Sequence, residues 1–330
     1  MILMKLAIIG DDEAGKATFL VLLYAAHLWY SENDDAGFRF YINPMSIKAI
    51  SSEYGRMQGG SWPTEKLISE NHEVSFLIGR TDDSKKGFFN FLSKSKEPET
   101  ITLDFSIYEF GYPDLVTKIS NSKMSFYNLS DKIESLLSSR VLIIVIDSSK
   151  LKRPKPKLKN NQKPPVVENS GTMPLASDPT KNSNEIDNDF IISNALANIS
   201  RYNKKMLYPI FVFTKFDSIN KKMLLKLKLP KKPPGMQFSD KRNIFGERLM
   251  SIFYPETLKL VKRHKLINYE PGIYFFSSVK TVKDSKGKIV PALISSSGVK
   301  WILDCSYDEF IGFIKYLERI SEHFEEGLKS

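Results

Sequence analysis

Lys5-Leu6-Ala7-Ile8-Ile9 is a short apolar run, and Gly10-Asp11-Asp12-Glu13-Ala14-Gly15-Lys16-Ala17-Thr18 follows it directly. A helical apolar pattern then begins at once, with Phe19, Leu20, Leu22, Leu23, Ala26 and Leu28. Strand, Gly-x-x-x-x-Gly-Lys and helix in that order form the setting of a loop that cradles phosphate. The glycines let the backbone curl so that several N–H groups converge on one anion. The helix N-terminus adds partial positive charge, and Lys16 can reach the outer phosphates. The residue after the lysine is usually Ser or Thr, whose hydroxyl binds Mg²⁺. Here it is Ala17, and the hydroxyl comes one residue later on Thr18. One residue along a helix turns the side chain by about 100°. Phosphate binding is therefore expected, while coordination of Mg²⁺ is in question.

The flanking chain sets this loop in a larger plan. Residues 31–71 form a long excursion that carries Gly55 and the turn Gly59-Gly60-Ser61-Trp62-Pro63-Thr64. A strand over 38–42 and a helix over 45–54 fit within it. His72 to Arg80 and Ile101 to Ile107 alternate as strands, and the second runs into Tyr108-Glu109-Phe110-Gly111-Tyr112-Pro113, a turn signal. Leu129 to Leu137 reads as helix. Val141 to Ile146 is apolar without alternation, as a parallel strand buried on both faces requires, and ends at Asp147. Helices are expected near 189–205, 240–262 and 307–324. Strands are expected at Tyr208–Phe213 and Gly272–Phe276, with a turn-rich stretch leading to Trp301. Strands alternating with helices predict an α/β fold, a mostly parallel sheet with helices on both faces.

Length and composition bound the class. The 330 residues suffice for one large domain, and 42% hydrophobic with 26% charged residues fits a globular chain. The lone cysteine, Cys305, excludes an intrachain disulfide and a cysteine zinc cluster; it suits a reducing cytosol, so a cytoplasmic location is expected. No apolar stretch is long enough to span a bilayer, and Met1 to Ile9 is too short for a secretory signal. The four histidines are scattered without metal spacing. Net charge is +10, and Lys150 to Lys181 alone, with eight basic residues against two acidic ones, holds +6 of it. This Pro- and Lys-rich stretch cannot fill a core, so residues 150–186 read as a disordered or extended insertion in one domain spanning 1–330. A nucleic acid or anionic surface could be its partner. It lacks interleaved aromatic residues for base stacking, which favours a solvated loop. Lys221–Lys228 reads as a surface element with its apolar side on the core.

Two further stretches share the strand ends with the phosphate loop. Thr214-Lys215-Phe216-Asp217 follows the strand at 208–213, and Ser277-Ser278-Val279-Lys280 follows the strand ending at Phe276. Ligands bind beyond the carboxyl ends of strands in such sheets. An Asp there can accept both the ring N–H and the exocyclic amine of guanine, a pair that adenine cannot satisfy.

In these motifs and their order the chain resembles the Ras-like, translation-factor-class P-loop GTPases over nearly its whole length. The narrower likeness is to the bacterial and archaeal double-GTPase or polarity branch. The resemblance implies a three-layer P-loop NTPase, small G-protein-like fold that binds GTP or GDP. Gly10, Asp12, Glu13, Ala14, Gly15, Lys16, Ala17 and Thr18 would hold the phosphates, and Thr214, Lys215 and Asp217 the base. A backbone N–H from Ser277, Ser278 or Val279 would meet the guanine carbonyl. The family's first-switch threonine, a Mg²⁺ ligand, matches Thr64, with Ser61 as the alternative; Thr18 is the other candidate metal hydroxyl. In the second switch, Asp-x-x-Gly, the glycine is Gly111, but Tyr108 stands at the Asp position, with Glu109 the nearest carboxylate. Tyr112 stands where a water-orienting Gln is usual. With those groups altered, hydrolysis is expected to be slow or to need a partner. The resemblance further implies regulators or effectors that contact the switches. The other reading is a pseudo-GTPase scaffold that binds nucleotide weakly or not at all.

Overall fold

The computed structural model describes residues 2–31, 38–64, 74–80, 100–108, 131–151, 188–237, 239–270, 272–296 and 300–326. Its frame is a seven-stranded sheet in the order β2-β3-β4-β1-β5-β6-β7. The strands are β1 (Ile2–Gly10), β2 (Phe38–Ile42), β3 (Val74–Arg80), β4 (Thr100–Ile107), β5 (Val141–Asp147), β6 (Tyr208–Thr214) and β7 (Tyr274–Phe276). From β4 to β7 every pairing is parallel, while β3 and β2 add antiparallel strands at one edge. The chain leaves β1 for the β4 side and later crosses to β5 on the other. That reversal puts a topological switch point beside β1, and ligands of open α/β sheets bind at the carboxyl ends of the strands at such points.

All seven residues of β5 and all seven of β6 are buried. Complete burial requires cover on both faces, which is why these runs lack alternation. Among the described residues, α1 (Lys16–Ser31) packs against α2 (Pro44–Gln58) and α8 (Tyr307–Glu326), and α8 also lies on β1 and β7. A second group joins α3 (Asp131–Ser138), α4 (Asn188–Asn203), α6 (Ser239–Phe253) and α7 (Pro255–Arg263). Phe19 of α1 meets Phe310 and Phe313 of α8 at ring separations of 5.7 and 5.1 Å, so the helix after the Gly10–Lys16 loop is anchored by α8. Gly246 of α6 lies so close to Tyr274 of β7 that a Cβ there would sit 2.3 Å from the ring.

The helix expected over 240–262 is two helices. Pro255 has no N–H to continue α6, and instead begins α7 with Tyr254 as its cap residue. Asp189 of α4 completes that start. Its carboxylate accepts the Glu256 and Thr257 N–H groups, both at 2.8 Å, and is almost fully buried in doing so. Residues 221–226 form the short helix α5, capped by Asn220, with Met223 and Leu224 buried and Leu225 exposed.

The stretch read as turns before Trp301 is two hairpins, β8 (Thr281–Lys283) with β9 (Ile289–Pro291) and β10 (Leu293–Ser296) with β11 (Lys300–Leu303). Strands of three or four residues are too short for alternation to show. Ser148–Lys150 forms one helical turn after β5; residues 152–187, where nearly all of the insertion expected over 150–186 falls, lie outside the described residues.

Candidate functional site

Gly10 ends β1 and Lys16 begins α1, so the loop between them has the strand-to-helix setting its sequence predicts. Gly10 is required by space, since a Cβ there would lie 2.7 Å from the Val145 carbonyl oxygen of β5. Gly15 is required by conformation, with φ at +93°. Glu13 also takes a left-handed conformation, φ 60°, at a cost of about 1–2 kcal/mol. Strain held at a loop of this kind is characteristic of functional sites.

Successive carbonyls of the loop are each engaged by a surrounding side chain. Lys16 Nζ donates to the Gly10 and Asp11 carbonyls at 3.2 and 2.9 Å. Lys150 Nζ donates to the Asp12 carbonyl at 3.2 Å, and Lys215 Nζ to the Glu13 carbonyl at 2.8 Å. Thr214 Oγ1 donates to the Ala14 carbonyl at 2.5 Å. Within the loop the Ala14 N–H donates to the Asp11 carbonyl at 3.1 Å. Lys16 is fully buried, while the Asp12 and Glu13 side chains are exposed. Asp11 Oδ2 accepts from the Asn188 amide at 3.3 Å.

The structure joins the second motif to the first. Thr214 ends β6, is buried, and lies within reach of both the Ala14 and Ile146 carbonyls. Lys215, in a left-handed conformation with φ 50°, crosses the loop and also pairs with the Asp147 carboxylate at 2.7 Å. Asp147 further accepts from the Ser149 N–H and hydroxyl. Its burial would raise the carboxyl's pKa, but the bonds from Lys215 and Ser149 outweigh this and hold it below the ordinary value. Asp217 lies two residues past Lys215, exposed in a single helical turn; partial desolvation holds its carboxyl above the ordinary value against the pull of Lys221.

The third motif is adjacent. The Ser277 N–H donates to the Phe213 carbonyl at 2.8 Å, which places Ser277 beside Thr214. Ser277 and Val279 are buried and Ser278 is half-buried. Thr214 thus touches Ala14 on one side, and Ser277 lies beside it on the other, at the carboxyl ends of β6 and β7.

Ala17 is 2% exposed and carries no oxygen, and Thr18 is half-buried one position on. Tyr108, 4% exposed, closes the end of β4 with its N–H on the Ile8 carbonyl. Thr64 donates its N–H to Glu53 Oε2 of α2 at 2.8 Å, and the Ser61 N–H goes to the Arg56 carbonyl. Trp62 Nε1 and Gln58 Nε2 reach the carbonyls of Ile289 and Trp301, so the 58–64 turn is bound to α2 and the hairpins. Glu109, Gly111 and Tyr112 lie outside the described residues.

Sequence reasoning missed three contributors to the loop: Asp147, Lys150 and Asn188. The position of Asp147 at a strand's carboxyl end was a usable signal. Lys150 was hidden within a lysine-rich run, and Asn188 had none.

No family model matches this chain, and no curated protein matches it. Among solved structures, the signal recognition particle receptor SRb-GTP/SRX complex from Chaetomium thermophilum aligns over 84% of this chain and 91% of that chain, at 11% identity and a TM-score of 0.30. That overlap is too low to identify a shared fold.

Proposed function

We propose that the chain binds a guanine nucleotide at the Gly10–Thr18 loop and acts as a small-GTPase-like switch whose hydrolysis of GTP is slow or partner-dependent. In this reading the fold is a P-loop NTPase fold of small G-protein type. The loop N–H groups and Lys16 take the phosphates of GTP or GDP. Asp217 takes the guanine ring N–H and exocyclic amine, the Lys215 stem lies along the base, and the backbone at Ser277–Val279 meets the guanine carbonyl.

The observation that carries the reading is the direct tie between base motif and phosphate loop, Thr214 to the Ala14 carbonyl and Lys215 to the Glu13 carbonyl. A site for phosphate alone has no need of it. A nucleotide, which must be gripped at both ends, does. The residues present fit the phosphates but not Mg²⁺, because Ala17 offers no ligand atom and Tyr108 offers no carboxylate. Phosphoryl transfer draws nearly all its acceleration from metal and positioning. Calorimetry with GTP, GDP and ATP tests the reading. Guanine-specific binding that is lost in Asp217→Ala is expected; equal binding of ATP, or no binding, refutes it.

One observation favours the scaffold reading. Among the described residues, the bonds of the Thr64 turn run to α2 and the hairpins, which suits a fixed element better than a switch. Limited proteolysis separates the two. A nucleotide-dependent change around Gly55–Thr64 supports the switch, whose regulators or effectors would contact that turn, and an unchanged pattern with bound nucleotide supports a static scaffold. Among the described residues no helix is long and apolar enough to cross a membrane.

A further inference from the structure

We propose that Lys150 supplies, at the phosphate loop, positive charge that a bound Mg²⁺ supplies elsewhere, so that nucleotide binds this chain without a divalent metal. The inference rests on the nucleotide reading above and deepens it.

The loop has an unusual need for cations. It carries Asp11, Asp12 and Glu13 in succession, beside the place where the phosphates would lie. Like charges at such distances oppose anion binding unless they are offset. A metal is poorly placed to offset them, since the residue after Lys16 is the buried Ala17 and the residue closing β4 is Tyr108.

Lysines from three separate elements converge on the loop instead. Lys16 is buried under it, bonded to the Gly10 and Asp11 carbonyls. Lys215 is committed on two sides, to the Glu13 carbonyl and the Asp147 carboxylate. Lys150 differs from both. Its side chain is exposed, and among the described residues it donates to the Asp12 carbonyl at 3.2 Å. An ammonium has three N–H donors, so two are left over from this bond among the described residues. The turn Ser148–Lys150 that delivers it is itself fixed, because Asp147 accepts from Ser149 at its start. Lys150 is thus held against the loop by this bond while its side chain is exposed among the described residues.

The test is the affinity of the full chain for GTP, measured by calorimetry in EDTA and again in millimolar Mg²⁺. The same titrations are run on Lys150→Gln and Lys150→Arg, with circular dichroism to verify folding. Wild type should bind equally in both conditions. Lys150→Gln should bind about tenfold more weakly in EDTA, the scale of one lost charge-assisted hydrogen bond, and Lys150→Arg should stay near wild type. If wild type binds only with Mg²⁺, the metal-free proposal fails while the nucleotide reading stands. If Lys150→Gln binds in EDTA as wild type does, Lys150 is not the compensating cation. If wild type binds in neither condition, both the proposal and the nucleotide reading fail.

Discussion

Replacing Thr214 with valine removes one hydroxyl and almost no volume, and the structure states what should follow. Thr214 is 5% exposed, and its Oγ1 lies 2.5 Å from the Ala14 carbonyl and 3.1 Å from the Ile146 carbonyl. A hydroxyl has a single proton, so the shorter contact, to the loop, is the bond at stake. Valine leaves the Ala14 carbonyl without that donor. A buried acceptor left unsatisfied costs about 1–3 kcal/mol. With a urea m-value of about 3 kcal/mol/M, the unfolding midpoint should fall by about 0.3–1 M. Ala14 also forms part of the proposed phosphate cradle, so nucleotide affinity should drop by about tenfold if the loop relaxes by a similar energy. Thr214→Ser separates packing from bonding, since it keeps the hydroxyl and loses only the methyl. Serine should therefore stay closer to wild type than valine in both assays. A valine variant with an unchanged urea midpoint, or a serine variant worse than valine, would refute the claim that this hydroxyl holds the loop.

Asp189→Ala should lower stability by about 1–3 kcal/mol, since it removes the acceptor of two N–H groups at the start of α7, one of them buried; a urea midpoint equal to that of wild type would show that water replaces the cap. Asp147→Asn probes the ion pair with Lys215 through pH. Because the Asp147 carboxyl is held below its ordinary value, its stabilising contribution is present above about pH 4 and is lost as pH falls through the depressed value. The stability gap between wild type and Asp147→Asn should therefore be open at pH 6 and close on acidification, and a gap that widens in acid contradicts the pair.

The β1–loop–α1 unit was legible because all of its signals are local. Apolar run, glycines, lysine and helix pattern fall within thirty residues, and the backbone has few other ways to satisfy them. The buried strands β5 and β6 were equally plain from their unbroken apolar runs. The parts that escaped depend on distant partners. Nothing in the sequence around Asp189 says that its carboxylate caps a helix starting at Pro255, and only the fold brings the two together. Pro255 itself was a readable stop, overridden in the expectation by the helical pattern on either side. The turn with Trp62 and Thr64 was placed by motif spacing, which does not record that short hairpins more than two hundred residues away hold it. The lysine run hid Lys150 for the converse reason, since composition describes the average of a segment and one residue at its edge had separate work.

The bond from Thr214 to Ala14 spans 200 positions of sequence, and that span has a consequence for biosynthesis. At about 5–20 residues per second, a ribosome that has made the loop needs about 10–40 s more to reach the residue that fastens it. The parallel strand order delays matters further, because β1 gains its β5 neighbour only after β4 is made, and β6 and β7 come later still. A nascent chain stalled before residue 214 therefore displays the phosphate-loop sequence without the clamp that shapes it. Under the proposed function, nucleotide capture would then be a late event, following release of the carboxyl half from the exit tunnel.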